Sequence, residues 1–272
     1  MSPKVSIIMS VFNGADTLDS ALESLRDQSM SDWELVVCDD ASTDDTAQIL
    51  IDFAEDFPGQ VTVLHNDSNR RLSYSLNRCL GAARGTYIAR MDADDLNAPN
   101  RLEKQVDFLD RNLEIDLVGS TMRRFDSHGL HDVVPVPSQP TAANLRDGTP
   151  FAHGTVMMRA EVFKELGYLV SKRTVRGQDY DLWFRFFASG HTGANLMEPL
   201  YFVREDINAI RRRTAKSRFH NWQTAMVGLR ALNAPASWYV RPSLSLLKAL
   251  IPSHAMQLFR RWQARTVDRQ TV

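Results

Sequence analysis

Short apolar runs alternate with longer amphipathic stretches in the first third of the chain, and this alternation constrains the fold more than any other feature. The apolar runs are Val5 to Phe12, Glu34 to Cys38, Val61 to His65 and Thr86 to Met91. The stretches between them carry apolar residues at helical spacing and begin near Thr17, Thr43 and Ser73. Alternation of this kind builds βαβ units, in which helices connect parallel strands. The sequence therefore predicts an α/β fold with a mostly parallel central sheet flanked by helices.

The pattern is looser after residue 95. The predicted elements there are a helix from Pro99 to about Asn112, strands over Leu117 to Gly119 and Thr155 to Met158, a short helix from Ala160, and a longer helix from Asp179 to about Ser189. A proline-rich stretch around Pro137 is predicted to be a loop. From about Ala215 the sequence is typical of helices only.

The charge of the chain is balanced overall but not along its length. There are 32 basic and 33 acidic residues, and the net charge of -1 gives no reason to expect a nucleic-acid partner. Beyond Leu200, basic residues far outnumber acidic ones. Cys38 and Cys79 lack the spacing of a metal or redox motif, so we expect both to be reduced core residues.

The chain shows no sequence signal for export or membrane insertion. Met1 to Lys4 lead directly into the first strand without the segments of a signal peptide. No apolar run approaches the roughly 20 residues that a spanning helix needs. The expected location is cytoplasmic, with peripheral contact on the cytoplasmic face of the inner membrane if the basic tail binds lipid.

An acidic cluster follows the fourth predicted strand. Asp92, Asp94 and Asp95 lie there, at the carboxyl end of a strand, where open α/β sheets bind their ligands. Carboxylate oxygens suit Mg²⁺ or Mn²⁺ shared with phosphate groups. The alternative is that the acidic turn only caps the helix that begins near Pro99.

Four segments of the chain resemble the motifs of bacterial family 2 glycosyltransferases. They are Pro3-Lys4-Val5-Ser6-Ile7-Ile8-Met9-Ser10-Val11-Phe12-Asn13-Gly14, Asp39-Asp40-Ala41-Ser42-Thr43-Asp44-Asp45-Thr46, Tyr87-Ile88-Ala89-Arg90-Met91-Asp92-Ala93-Asp94-Asp95 and Gly177-Gln178-Asp179-Tyr180-Asp181-Leu182-Trp183. The resemblance covers residues 3–213, and several motifs in order carry more weight than any single one. It implies the GT-A fold, with a donor-binding half over residues 1–95, an acceptor-binding half over 96–213 and a helical, basic C-terminal extension over 214–272.

The resemblance also implies a role for each motif residue at the donor. The donor-binding residues are Ser10, Val11, Phe12, Asn13, Asp40, Arg90, Asp92 and Ala93. Phe12 would stack on the nucleobase, and Asp40 would meet the imide edge of uracil. Asp94 would bind Mn²⁺ or Mg²⁺, with Asp92 as a further candidate ligand. Without the resemblance, Phe12 is a core residue at a strand end and the Asp39 to Thr46 turn is a helix cap.

On the acceptor side, the resemblance makes Asp179 the base that takes the proton of the acceptor hydroxyl. His153, Gln178 and Arg204 are implied as candidates for contact with the acceptor or the diphosphate. His153 lies in Pro150-Phe151-Ala152-His153-Gly154-Thr155-Val156-Met157-Met158-Arg159, which is similar to the family segment that carries a His, and Arg204 ends Tyr201-Phe202-Val203-Arg204, where relatives carry a basic residue. From the residues alone, Asp179 would be a helix cap and His153 a structural histidine. Which arginine near Arg204 acts, among it and those at 211–213, stays open.

Two positions depart from the family pattern. Arg71 stands where relatives usually have glycine before a helix, so we expect a different turn geometry there, because residues other than glycine disfavour positive φ. Gln178 stands where glutamate is usual, which replaces a charge with a hydrogen-bonding amide. The base at Asp179 is retained.

The expected function is inverting transfer of a hexose or N-acetylhexosamine from a nucleotide sugar, with UDP as the default carrier, to a glycan or lipid-linked acceptor in polysaccharide biosynthesis. The alternatives are a non-catalytic nucleotide-sugar-binding subunit and a sugar-1-phosphate nucleotidyltransferase. A dehydrogenase is disfavoured because no Gly-x-Gly-x-x-Gly follows the first strand. The basic, apolar tail fits a membrane surface as well as it fits packing on the catalytic domain or in a homo-oligomer.

Overall fold

The computed structural model describes residues 2–205 and 215–247. The predicted boundary at residue 213, the arginines at 211–213 and the tail from Lys248 onward lie outside these described residues. The strands are β1 (Val5–Val11), β2 (Trp33–Asp39), β3 (Val61–His65), β4 (Tyr87–Arg90), β5 (Leu96–Asn97), β6 (Leu117–Asp126), β7 (Gly129–Val134), β8 (Met157–Arg159) and β9 (Gly193–Arg204). The helices are α1 (Ala15–Arg26), α2 (Thr46–Asp56), α3 (Leu72–Ala82), α4 (Arg101–Arg111), α5 (Ala160–Leu166), α6 (Gln178–Ala188), α7 (Ala215–Ala231) and α8 (Val240–Leu247).

One sheet runs through both halves of the described chain. Its strand order is β3-β2-β1-β4-β8-β6-β9-β5, with β7 paired to β6. The first four strands in this order are parallel, and β4 meets β8 in antiparallel pairing at Ile88 and Met158. Strand β6 is parallel to β9 and antiparallel to β7 and β8. The predicted α/β fold is confirmed, with its parallel part at β1 to β4.

Alternating residues of β1 and β2 build two cores, one on each face of the sheet. Ile7 and Met9 pack with the apolar side of α1, α2 and α4. Ile8 and Val36 face the opposite way and pack with α3, α5, α6 and α7. Successive side chains of a strand point to opposite faces, so strands buried on both sides read as continuous apolar runs. This explains why these strands were predictable.

Three strands of the second half were not predicted. The prediction placed no strand over β5, β7 or β9, and it ended the sixth strand at Gly119 instead of Asp126. Strand β9 contains Glu198 and Pro199, and its pairing with β6 shifts register near Thr121. Strand β7 is exposed along most of its length, so it has no apolar periodicity. Polar or interrupted strands of this kind carry little sequence signal.

The helices α7 and α8 pack onto the α6 side of the sheet. Gly228 of α7 lies against the ring of Phe184, and a Cβ at this glycine would lie 2.1 Å from Phe184 Cγ. Ala225 and Leu229 of the same helix are buried in the core on that face. Among residues 2–205 and 215–247, no helix combines the length and apolar character needed to cross a membrane.

Candidate active site

The loops that follow β1 and β2 are tied to each other at the carboxyl edge of the sheet. The Asn13 amide N–H donates to Ser42 Oγ at 2.9 Å, and Asn13 Oδ1 accepts from the Thr43 amide at 2.8 Å. Asp44 accepts from the Thr46 amide at the start of α2 and from the amide of Ala15. Asp44 therefore binds the first amide of both α1 and α2 without being the N-cap of α2, and Asn13 joins the two loops. Hydrogen bonds therefore connect the loops that follow the first two strands.

Phe12 lies just beyond β1 with 48% of its surface exposed. It is therefore not a core residue, although the strand before it ends in the buried Val11. Ser10, one position further back, is half-buried. A large apolar ring exposed at the carboxyl end of a central strand offers a flat face for stacking on a base.

Asp40 is buried, and three hydrogen bonds to its carboxylate hold a neighbouring loop. Its Oδ1 accepts from Asn66 Nδ2 at 2.6 Å and from the Arg70 amide at 2.7 Å. Its Oδ2 accepts from the Arg71 amide at 2.7 Å. A carboxylate has about four lone-pair sites, so roughly one remains for a ligand. Asn66 had no signal in the sequence, because its role depends on a contact across 26 residues.

Arg71 keeps a positive φ, and the prediction of a different turn geometry at this position is wrong. Its φ of 72° and ψ of 164° lie in a region that is essentially restricted to glycine. The side chain is exposed, so it provides no packing that would explain the strain. The two amide hydrogen bonds to Asp40 supply the restraint. Asn13 and Ala41 also have positive φ, so backbone strain clusters at this edge.

The acidic cluster after β4 is arranged around two arginines. The buried Arg90 guanidinium donates from Nη2 to Asp92 Oδ1 and forms an ion pair with the Asp92 carboxylate, whose side chain is 37% exposed. Burial lowers the pKa of Arg90, but the charge and hydrogen bonds of Asp92 more than offset this, so its net pKa lies above the ordinary value. Arg204, at the end of β9, donates its amide to Asp95 Oδ1 at 2.8 Å and its Nε to the Asp94 carbonyl at 2.9 Å.

Asp95 differs from its two acidic neighbours in being buried. Burial, together with the negative charges of Asp92 and Asp94, raises the pKa of Asp95 to about 8. Asp94 is exposed at the rim, whereas Asp92 is half-buried. The helix α4 starts at Arg101 after Asn100, so the cluster does not cap it directly. The capping alternative for Asp92 to Asp95 is therefore wrong.

Two further residues hold the cluster in place. The Tyr201 hydroxyl accepts from the Asp92 amide at 3.0 Å. Arg101 is fully buried, stacks on the Tyr201 ring at 4.9 Å and donates to the Arg90 carbonyl at 2.9 Å. Burial lowers the pKa of Arg101 to about 10. Sequence reasoning assigned no supporting role to Arg101 or Tyr201, because that role depends on the pairing of β9 with β5 and β6.

The carboxylates of the acidic cluster fit a divalent cation that is also coordinated by a bound ligand. Among the residues that the structure describes, no three His, Cys, Asp or Glu side chains converge closely enough to hold a metal ion. Mg²⁺ and Mn²⁺ commonly take one or two carboxylates together with phosphate oxygens, so a complete protein cage is not required. Asp94 presents an exposed carboxylate, and the repulsion among the three aspartates favours a cation beside them.

Asp179 lies in the first turn of α6, not at its cap. The helix begins at Gln178, and the preceding Gly177 adopts the left-handed conformation with φ of 87°. The capping alternative for Asp179 is therefore wrong. Asp179 and Gln178 are both half-buried. Burial raises the pKa of Asp179, while hydrogen bonds from backbone amides and the charge of Arg90 act against this rise. A raised pKa suits a group that accepts a proton.

His153 lies beneath the same edge, in a short 3-10 helix before β8. Its Nε2 is 2.8 Å from the Tyr168 hydroxyl, and its ring also packs against Trp183. Burial, with a smaller contribution from Arg90, moves the pKa of His153 well below its usual value, so the imidazole is neutral. Tyr168 was missed by sequence reasoning, because it lies in an irregular segment outside every motif. Arg90 is thus within electrostatic reach of Asp92, His153 and Asp179.

The fold and this edge define a class of protein. The parallel half of the sheet has an exposed ring after β1 and an acidic cluster after β4, and the mixed half carries a carboxylate on α6. This is the arrangement of a GT-A nucleotide-sugar transferase. The family model for glycosyl transferase family 2 matches residues 6–167. The chain belongs to this family and is a glycosyltransferase.

Curated relatives agree with this assignment. The chain is 43% identical over 258 residues to the putative glycosyltransferase EpsE of Bacillus subtilis, covering 94% of this chain and 93% of that protein. It is 28% identical over 221 residues to the putative teichuronic acid biosynthesis glycosyltransferase TuaG of the same organism, covering 81% and 86% of the two chains. Because the chain belongs to this family, the alternative functions of sugar-1-phosphate nucleotidyltransferase and dehydrogenase are disfavoured.

Solved structures share the fold at low sequence identity. The S. aureus TarS fragment 1–349 in complex with UDP-GlcNAc has a TM-score of 0.69 and 18% identity, covering 91% of this chain and 71% of that one. The mannosyltransferase PcManGT of Pyrobaculum calidifontis, in complex with GDP-Man and Mn²⁺, has a TM-score of 0.64 and 18% identity, covering 98% and 81%. The GT-A fold is confirmed.

Proposed function

We propose that this glycosyltransferase moves a hexose or N-acetylhexosamine, with inversion, from a UDP-sugar to a glycan or lipid-linked acceptor in polysaccharide biosynthesis. The observation that carries the proposal is the placement of Asp92, Arg90 and Asp179 around one edge, with Arg90 in electrostatic reach of both carboxylates. TarS in complex with UDP-GlcNAc and the name of TuaG support the donor and the pathway class.

The donor half over residues 1–95 would bind the nucleotide. Phe12 offers its exposed ring to the base, beside Ser10 and the backbone of Val11 and Asn13. Asp40 shapes the base pocket through the 66–71 loop and keeps roughly one lone pair for the uracil imide.

The diphosphate would lie over the acidic cluster. Asp94, with Asp92 as a second ligand and Ala93 between them, would hold Mn²⁺ or Mg²⁺, consistent with the Mn²⁺ in the PcManGT structure. When bound, such a cation neutralises charge on the leaving diphosphate. Arg90 orients the Asp92 carboxylate, and Arg204 fixes the Asp94 backbone from the opposite strand.

The acceptor half over residues 96–213 would supply the base. Asp179 takes the proton from the acceptor hydroxyl as its oxygen attacks the anomeric carbon, and the bond from that carbon to the diphosphate breaks with its electron pair on UDP. His153, neutral and bound to Tyr168, supports the floor of this site. Gln178, at the start of α6, offers an amide that can bind an acceptor hydroxyl.

The test is donor binding and turnover in matched variants. A thermal-shift screen with UDP-, GDP- and dTDP-sugars and Mn²⁺ is expected to show the largest shift with a UDP-sugar. Release of nucleoside diphosphate is expected to fall about 10²–10⁴-fold in Asp179→Asn, the usual contribution of a positioned base. Asp27→Asn, an exposed change at the far end of α1, is the matched control. Normal turnover in both Asp94→Ala and Asp179→Asn would contradict the proposal.

The extension from residue 214 is proposed to contact the membrane surface. Val240 of α8 is 56% exposed, and the basic residues from Lys248 onward lie outside the described residues. Exposed apolar groups next to cations favour anionic bilayers. Flotation of the full chain with anionic liposomes is expected, and loss of flotation on truncation after Leu247 would assign it to the tail. A chain that ignores these liposomes but is dimeric in solution would favour a homo-oligomer instead.

A further inference from the structure

A cavity of about 740 Å³ lies between the catalytic domain and the C-terminal helices. Asp179 and Tyr180 of α6 line one side, Asn221 and Trp222 of α7 line another, and Arg241 and Leu244 of α8 complete it. The volume lies within the range of about 300–1,000 Å³ typical of small-ligand sites. The family model ends at residue 167, so most of this lining lies outside the matched segment.

The cavity meets the donor edge at Asp179. Asp179 is one of the residues that line the cavity, and its carboxylate lies in electrostatic reach of Arg90 and Asp92. A group bound in the cavity would therefore approach the same carboxylate that faces the donor. An acceptor hydroxyl needs this position, because the base must contact it while its oxygen attacks the sugar.

Two aromatic side chains line the cavity with their polar tips already bound. Trp222 donates Nε1–H to Ser243 Oγ at 3.2 Å and stacks on Phe219 with ring centroids 5.8 Å apart. Tyr180 donates its hydroxyl to the Leu145 carbonyl at 2.6 Å. Aromatic rings whose polar atoms are satisfied offer rigid apolar area at little entropic cost. Such area suits the C–H face of a sugar ring.

The wall formed by α7 and α8 is held in place by specific contacts. Arg241 Nη1 donates to Asp147 Oδ1 at 2.6 Å, and Arg146 donates to the same carboxylate. Asn221 lies directly on Gly177, where a Cβ would be 2.5 Å from Asn221 Oδ1. Together with the contact between Gly228 and Phe184, these contacts fix Trp222 relative to Asp179. The position of Trp222 relative to Asp179 therefore follows from contacts within the fold.

We propose that α7 and α8 complete the acceptor site, with an acceptor saccharide bound between Tyr180 and Trp222 and one hydroxyl directed to Asp179. This inference rests on the proposed function, because it assigns the acceptor of that reaction. The hydroxyl proton passes to the Asp179 carboxylate, the new glycosidic bond forms at the anomeric carbon, and UDP leaves with the electron pair of the broken bond. Trp222 and Leu244 then act as determinants of acceptor specificity.

The experiment measures binding of soluble methyl glycosides to the full chain with saturating UDP and Mg²⁺, which is diamagnetic. The probes are the methyl glycosides of glucose, galactose, mannose, N-acetylglucosamine and N-acetylgalactosamine. Their binding is measured by saturation-transfer NMR. At least one is expected to bind, and Trp222→Ala is expected to weaken it on the order of ten-fold. Leu244→Glu, at a side chain that is 50% exposed and so tolerant of change, is expected to weaken it as well. Trp222→Phe is expected to retain most of the affinity.

Arg230→Ala is the matched control, since Arg230 is exposed on the same helix and does not line the cavity. Wild-type affinity for the glycosides in both Trp222→Ala and Leu244→Glu overturns the inference, as does a wild-type chain that binds none of the five probes. UDP-sugar hydrolysis is followed separately in the same preparations. Its absence from the wild type would overturn the proposed function, while glycoside binding would still decide whether the cavity is a saccharide site.

Discussion

Replacing Arg71 by glycine should stabilise the protein, because this residue carries backbone strain without a compensating side-chain contact. Its φ of 72° and ψ of 164° are costly for any residue with a Cβ, by about 1–3 kcal/mol. Glycine also gains freedom in the unfolded chain, which offsets about 0.4–1 kcal/mol. The expected net gain in the free energy of unfolding is about 1 kcal/mol, or about 2 °C in Tm for a chain of this size.

The matched comparison is Arg71→Ala, which removes the same exposed side chain but keeps the Cβ. At ordinary φ, glycine is less stable than alanine by about 0.4–1 kcal/mol. At residue 71 the order should reverse, with Arg71→Gly more stable than Arg71→Ala. Urea denaturation followed by tryptophan fluorescence gives both values. If the glycine variant is equal to the alanine variant or less stable, then the strained conformation and its restraint by Asp40 are both refuted.

Three further predictions concern the same edge. Asp40→Asn should lower the free energy of unfolding by about 2–4 kcal/mol, because it weakens charged hydrogen bonds from the buried Asn66 amide and from two loop amides. In urea denaturation the exposed Asp67→Asn should be neutral, and equal stability of the two variants would argue against the loop contact. Phe12→Ala should weaken UDP binding in calorimetry by about 1–3 kcal/mol, the usual contribution of stacking on one base. Phe12→Tyr should bind UDP normally. Unchanged affinity in the alanine variant would contradict the stacking role. The pKa of His153 in the folded state lies far below its unfolded value of about 6.5, so the folded state binds fewer protons. The free energy of unfolding should therefore fall below pH 6.5 by up to about 1.4 kcal/mol per pH unit. His153→Gln should remove this component, and an identical dependence of the free energy of unfolding on pH in the variant would contradict it.

The sequence was most informative where a segment is buried on both faces or carries a complete motif. Strands β1 to β4 were predictable because Ile7, Ile8 and Val36 belong to apolar runs that serve two cores. The acidic cluster was found from its position at the end of a predicted strand, and resemblance to family motifs supplied the roles of its residues and identified the α6 segment. Those residues were recognised without any knowledge of which side chains contact each other.

The sequence was least informative where a role depends on tertiary contact. Tyr168 binds His153, and Asn66 binds Asp40, through contacts that no local pattern encodes. Strand β9 was missed because Glu198 and Pro199 interrupt it, although it delivers Tyr201 and Arg204 to the acidic cluster. At Arg71 the local rule pointed the wrong way, because hydrogen bonds to Asp40 override the intrinsic preference of the backbone.

The stereochemistry of transfer tests the central claim most directly. The wild-type chain is incubated with Mn²⁺ and the UDP-sugar that gives the largest thermal shift, with methanol as a simple acceptor whose glycoside cannot change its configuration. NMR is expected to show a methyl glycoside of configuration opposite to that of the donor, formed about 10²–10⁴-fold more slowly by Asp179→Asn and not formed after removal of the metal by chelation. A product that retains the donor configuration, or one formed equally well by Asp179→Asn, would contradict the account.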